Sequence, residues 1–140
     1  MLRVVLAAIL LMAPSLALAA CYSWPLRTDF PAYDGDTIKI TMPGLPPEIA
    51  AISVRVAGID APEIKGKCDS ERAKAIEARD FVAAKLAGAA SVQFCKPKWG
   101  KYAGRVLAEV MIDGESLAEM LLERGLARPY HGEKRGGWCQ

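Results

Sequence analysis

ISVRVAGIDAPE, Ile52 to Glu63, constrains this chain more than any other stretch. Ile52 to Ile59 is apolar and rich in β-branched residues, the pattern of a strand, and Gly58 is placed to form a bulge. Arg55 stands inside that run. The run ends in a turn where Asp60 and Glu63 flank Pro62, which biases Ala61 toward an extended backbone. Two readings are open on these residues alone. The first is an ordinary strand with a solvated arginine and an acidic turn. In the second, proline and pleat hold Arg55, Asp60 and Glu63 in a fixed relation that some chemistry uses.

The chain before this stretch divides early. Residues 1–20 carry Arg3, then a charge-free apolar run, then small residues, which is the layout of a secretory signal and is short for a membrane span. The expected organisation is therefore a signal peptide over 1–20 and one domain over 21–140. Without Arg3 the formal net charge falls from +2 to about +1. So neutral a domain is not generically coated with cations, and an anionic ligand must be met by a local cluster. Leu18 to Cys21, LAAC, also fits the site at which a bacterial lipoprotein is cut and lipidated on cysteine. Export to the periplasm or exterior is expected, with lipid anchoring through Cys21 as the alternative. Four cysteines pair evenly in an exported chain, whereas lipidating Cys21 leaves three. No two are spaced as in a zinc knuckle or a redox pair.

The remaining segments alternate between strand and helix signals. Strands are expected on both sides of the turn YDGDT, Tyr33 to Thr37, the second running to Met42. PGLPPE interrupts regular structure. A helix opens at Asp69 or Ser70 and runs to about Leu86, with Ala75, Ala78, Val82 and Leu86 as its apolar stripe. Further strands are expected at Ser91–Cys95 and Arg105–Ile112. Ser116 to Glu119 has the form of a capping box, and the helix it starts stops at Gly125. Five short strands and two helices in this order indicate a small α+β domain built on a barrel.

Three further stretches bear on chemistry. YDGDT reads as a tight turn, Asp-Gly being a favoured turn pair. With Asp60 it also supplies two hard carboxylates, Asp36 and Asp60, with Glu63 to spare; oxygen donors suit Ca²⁺ or Mg²⁺ rather than zinc. GKYAGRVLAEV, Gly100 to Val110, is a basic loop entering a strand. It also offers Arg105 as a second permanent cation, Lys101 as a charge and Tyr102 as a stacking face. The tail GEKRGGWC, Gly132 to Cys139, reads as a solvated glycine-rich terminus tied by one disulfide, with phosphate contacts from Lys134 or Arg135 as a second reading that its residues do not indicate; His131 reads as a loop residue.

Taken in order, YDGDT, RVAGIDAPE, KYAGRVLA and DGESLAEMLLERGLA resemble the staphylococcal nuclease (thermonuclease) family, over about Tyr33 to Tyr130. The resemblance implies an OB-fold five-stranded β-barrel with helices, its active site beside the barrel. Carried over, it places metal carboxylates at Asp36 and Asp60 and a backbone carbonyl ligand at Ala61. It places the general base at Glu63 and phosphate-binding arginines at Arg55 and Arg105, with Lys101, Tyr102 and Tyr130 as substrate contacts. The implied cofactor is Ca²⁺, with Mg²⁺ as an alternative. The implied partners are DNA and RNA, with no stable protein partner, a monomeric chain, and membrane contact only through a lipidated Cys21. The implied activity is metal-dependent phosphodiester hydrolysis of low sequence preference that leaves 3′-phosphate ends. A non-catalytic nucleic-acid-binding OB-fold domain is the alternative.

The chain departs from the family pattern in three places. KYAGR carries an additional residue, Ala103, ahead of Arg105; Gly100 stands where an acid is usual; and the family's C-terminal third helix is expected to be absent after Tyr130. Against that layout, Cys68 falls in the loop bordering the site and Cys139 in the tail. The expected bridges are Cys68–Cys139 and Cys21–Cys95, among three formal pairings.

Overall fold

The computed structural model describes residues 20–139. All but the last residue of the expected signal peptide lies outside them. The element order is β1 (Cys21–Tyr22), β2 (Thr37–Thr41), β3 (Ala51–Val56), β4 (Ile59–Asp60), α1 (Asp69–Ala87), β5 (Val92–Trp99), β6 (Arg105–Ile112), β7 (Glu115–Ser116), α2 (Leu117–Glu123) and β8 (Arg128–Pro129). The main sheet runs β1–β5–β6–β3–β2, with β7 on β6; β4 and β8 form a separate pair. Within the main sheet β3 and β6 are parallel, and the other pairs are antiparallel. This is an α+β domain of OB-fold-like type.

The core explains why these segments pair. Ile38 and Ile40 of β2, Val54 and Val56 of β3, and Val106, Ala108 and Val110 of β6 alternate inward and are buried. Helix α1 covers them with Ala78, Val82 and Leu86, and α2 with Leu117 and Leu121, all in one cluster with Phe94. Fully burying such a side chain contributes about 1.5–3 kcal/mol. Helix α2 is capped as its sequence indicates, the Ser116 hydroxyl accepting from the Glu119 N–H at 3.3 Å.

Three expected strands differ. The strand ahead of YDGDT is reduced to isolated bridges, Leu26 to Ile40 and Ala32 to Ile38. Pro25 and Pro31 accept hydrogen bonds there from Thr41 and Lys39, but proline has no N–H to return. The Ile52–Ile59 strand is broken rather than bulged. Gly58 adopts φ 82°, and β4 leaves the sheet to pair with β8. The strand expected at Ser91–Cys95 starts at Val92 and continues to Trp99 through a register shift between Cys95 and Lys98, with Lys96 at φ 50°. The break at Gly58 matters most for function, because it turns Asp60 out of the main sheet.

Candidate functional site

The turn Tyr33–Thr37 is held down onto the rest of the molecule rather than standing free. Asp34 Oδ1 accepts the Asp36 N–H at 3.2 Å, and Asp36 Oδ2 accepts the Ala61 N–H at 2.8 Å. Gly35 is required here for space. A Cβ on it would lie 2.8 Å from the Cβ of Ala78 in α1 and 3.0 Å from the Cβ of Ala61. The glycine therefore lets the acidic turn, α1 and the Ala61–Pro62 turn close on one another. Gly35→Ala is expected to cost about 1–3 kcal/mol by overpacking. Its denaturation midpoint should fall accordingly; an unchanged midpoint would show that the turn stands clear of α1.

Arg55 reaches this turn from β3. Its register opposite Thr37 of β2 places it beside Asp36, and one guanidinium nitrogen contacts both acids, 2.9 Å from Asp36 Oδ2 and 3.3 Å from Asp60 Oδ1. Arg55 is half-buried; Asp36 and Asp60 are buried, and so is Asp34. Burial, reinforced by the neighbouring Asp34, pushes the Asp36 carboxyl up to about 7, against the pull of Arg55 and the Ala61 N–H. Burial likewise raises Asp34. Asp36 and Asp60 thus meet at the half-buried Arg55 guanidinium, with Asp34 bonded to the Asp36 N–H beside them. Buried, oxygen-only carboxylates such as Asp36 and Asp60 fit a hard divalent cation, which would also offset the desolvation that raises Asp36. Ala61 touches Asp36 through its N–H.

Glu63 sits on a loop positioned by Glu71, the first buried residue of α1. The Glu71 carboxylate accepts the backbone N–H groups of Glu63 at 3.4 Å and Lys67 at 3.0 Å. Gly66 makes room for it, since a Cβ there would come within 2.5 Å of Glu71. Arg72 donates to the Gly66 carbonyl at 2.8 Å. The Glu63 side chain, half exposed, receives Arg135 Nη1 at 2.7 Å.

Arg105 reaches the same place despite the additional Ala103. In the turn before it, Gly104 adopts φ 73°, and Arg105 N–H and Gly104 C=O bond to Tyr102 C=O and Ser53 N–H. In the parallel register Arg105 lies opposite Ser53, two places before Arg55 on the same face of the sheet. Arg55, Arg105 and Glu63 consequently line one cavity of about 210 Å³, with Tyr33, Asp34 and Arg135 among its other walls. Lys101, Tyr102 and Tyr130 are not among them. Tyr102 is exposed beside the cavity, with Lys101 and Arg105 5.8 and 5.9 Å from its ring centroid. The Tyr130 N–H is bonded to Gly58 C=O, which fixes the β4–β8 pair.

Cys68 is bonded to Cys139, and Cys21 to Cys95. The first bridge carries the tail back across the site. Arg135 Nε lies 2.7 Å from Asp60 Oδ1, its Nη2 also pairs with Asp60, and the Trp138 indole N–H reaches Asp60 Oδ2 at 3.2 Å. Gly132–Cys139 is exposed apart from half-buried Trp138 and is tied by one disulfide, as expected, but Arg135 and Trp138 are also bound to the site acids. Sequence reasoning passed over Asp34, Glu71 and Trp138, and weighed Arg135 only as a phosphate contact that the tail's residues do not indicate. Asp34 was signalled by its place in YDGDT and Glu71 by an acid at the start of an apolar stripe. Arg135 and Trp138 had no local signal.

Residues 53–137 match the family described as staphylococcal nuclease homologue. The match takes in Arg55, Asp60, Glu63, Arg105 and Arg135, and begins after the Asp34–Asp36 turn. Among characterised proteins, the chain is similar to the SPbeta prophage-derived endonuclease YokF of Bacillus subtilis (strain 168), at 36% identity over 106 residues. That similarity covers 69% of this chain and 31% of the relative, so the chain spans about a third of that protein's length.

Proposed function

This chain belongs to the staphylococcal nuclease homologue family, and from that membership and the site's geometry we propose that it is an exported, Ca²⁺-dependent phosphodiesterase. It acts on DNA and RNA with low sequence preference and leaves 3′-phosphate ends. The observation that carries this reading is the convergence of Asp36 and Asp60 on Arg55, with Glu63, Arg105 and Arg135 around one small cavity.

Asp36 and Asp60, with the Ala61 carbonyl, would hold Ca²⁺ or, in its place, Mg²⁺. When bound, the ion neutralises phosphate charge and favours approach of water. The chain's own groups account for the rest. Glu63 is half exposed and opens onto the cavity, so it can take a proton from water positioned there. Arg55 and Arg105 stay charged at any working pH and hold the added negative charge of the five-coordinate phosphorus through paired N–H donors. Exposed Tyr102, flanked by two cations, offers a face for a base and sets no sequence preference, since every base has a π-face.

Export is supported by the two disulfides, which persist in oxidising compartments. Cys21 is engaged in one of them, which leaves no thiol for a lipid, so the proposed form is unanchored.

The test is incubation of the protein with single-stranded DNA and RNA in Ca²⁺, in Mg²⁺ or in chelator. Cleavage is expected with Ca²⁺, falling to background in chelator, with 3′-phosphate ends on the products. Binding without cleavage at every divalent ion would replace this reading with that of a non-catalytic nucleic-acid-binding domain.

A further inference from the structure

We propose that Arg135 is a third phosphate-binding residue, delivered to the site by the disulfide-tethered tail; this rests on the nuclease reading above. Its guanidinium meets Asp60 through Nε at 2.7 Å and Glu63 through Nη1 at 2.7 Å, yet the side chain remains 38% exposed. It lines the same cavity as Arg55 and Arg105. All three permanent cations therefore face one small space.

The position is built, not incidental. The Cys68–Cys139 bridge anchors the tail to the start of α1. Trp138 lies with Arg128 3.7 Å and Lys74 5.6 Å from its ring centroid, and its N–H is bonded to Asp60. Arg128 also donates to the Gly137 carbonyl at 2.7 Å, fixing the backbone between the tryptophan and Arg135. The exposed Arg135–Glu63 pair contributes little to stability, so holding that pair in place does not by itself account for a disulfide, a stacked indole and a backbone bond.

Arg135 pairs with Glu63 at the cavity wall and with Asp60 behind it. A phosphate presents the same paired oxygens with more charge, and a guanidinium is suited to either. Exchange of Asp60 and Glu63 for a phosphate oxygen pair would also free Glu63 to accept a proton. The tail thus adds a third guanidinium to a cavity that Arg55, Arg105 and Lys65 also line.

The experiment uses the full chain and its Arg135→Ala, Arg135→Gln and Arg135→Lys variants, with thermal melts alongside. Binding of a short labelled single-stranded oligothymidine is measured in chelator over a range of salt, and cleavage in Ca²⁺. Arg135→Ala is expected to weaken binding and raise KM about ten- to a hundredfold, as for loss of a charged hydrogen-bonding partner. The slope of log K against log salt should fall by about 0.7, the signature of one lost phosphate contact on a single strand. Arg135→Gln keeps donors for Asp60 and Glu63 but no charge, and should match Arg135→Ala; Arg135→Lys should recover part of the binding.

If wild type and variants bind with equal affinity and salt slope, or if the variants cleave faster, Arg135 only closes the site on its acids and the proposal is overturned. If the wild type itself neither binds nor cleaves, it is the nuclease reading that fails. A loss seen in Arg135→Ala alone, together with a lowered melt, would assign the residue to structure and overturn the proposal as well.

Discussion

Glu63→Gln is expected to lower kcat by about 10²–10⁴, the range over which a positioned general base acts, while leaving KM and the melting temperature near wild type. The structure allows so clean a separation. The backbone N–H of Glu63, not its side chain, is what Glu71 holds, at 3.4 Å. The side chain is 51% exposed and bonded to Arg135, and glutamine keeps an oxygen for that bond. An exposed ion pair contributes at most about 1 kcal/mol, so the fold loses little. The measurement is single-turnover cleavage of single-stranded DNA in Ca²⁺, paired with oligonucleotide binding. Survival of kcat would remove Glu63 from the role of base and direct attention to the buried acids beside it.

Removing the Cys68–Cys139 bridge, as Cys68→Ala with Cys139→Ala, should both destabilise the domain and impair its site. The bridge closes a sequence separation of 71, for which the chain-entropy estimate is about 4 kcal/mol. Set against a typical domain stability of 5–15 kcal/mol, that is a large share. Removing Cys21–Cys95, with a separation of 74, should cost a similar amount. The two losses differ in kind. Cys21 lies in β1 at one end of the sheet path, so its removal should leave KM of the folded fraction unchanged. Releasing Cys139 frees Trp138 and Arg135 from Asp60, so KM should rise as well. Denaturant unfolding of both double variants, with KM measured below the transition, checks this. An equal KM in both would show that the tail holds its place without its bridge.

Much of this was legible locally. The apolar stripe Ala75, Ala78, Val82 and Leu86 is buried as its spacing indicates, because a helix period repeats within a few residues. The Ser116 cap and the strand Arg105–Ile112 follow from equally short patterns. Strand ends were less legible. Whether Ile52–Ile59 bulges or breaks at Gly58 depends on β8, a partner some seventy positions downstream that no local pattern announces. The strand before Tyr33 lost its ladder to two prolines whose accepting carbonyls still serve β2.

The sequence by itself determined which residue types stand ready for chemistry: acids in two turns, arginines entering two strands, and glycines where a side chain would not fit. It also carried the order of motifs from which family membership follows. Only the tertiary structure decided which of these meet. The parallel register of β3 and β6 sets Arg105 two places from Arg55 on one face. Gly35, locally a turn residue, proved to be a point of contact with α1. The bridge from Cys68 brings Arg135, near the end of the chain, onto Asp60 and Glu63. Residue type and short-range spacing are encoded in neighbours, but charge meeting charge across such separations exists only once the backbone has closed the loops between them.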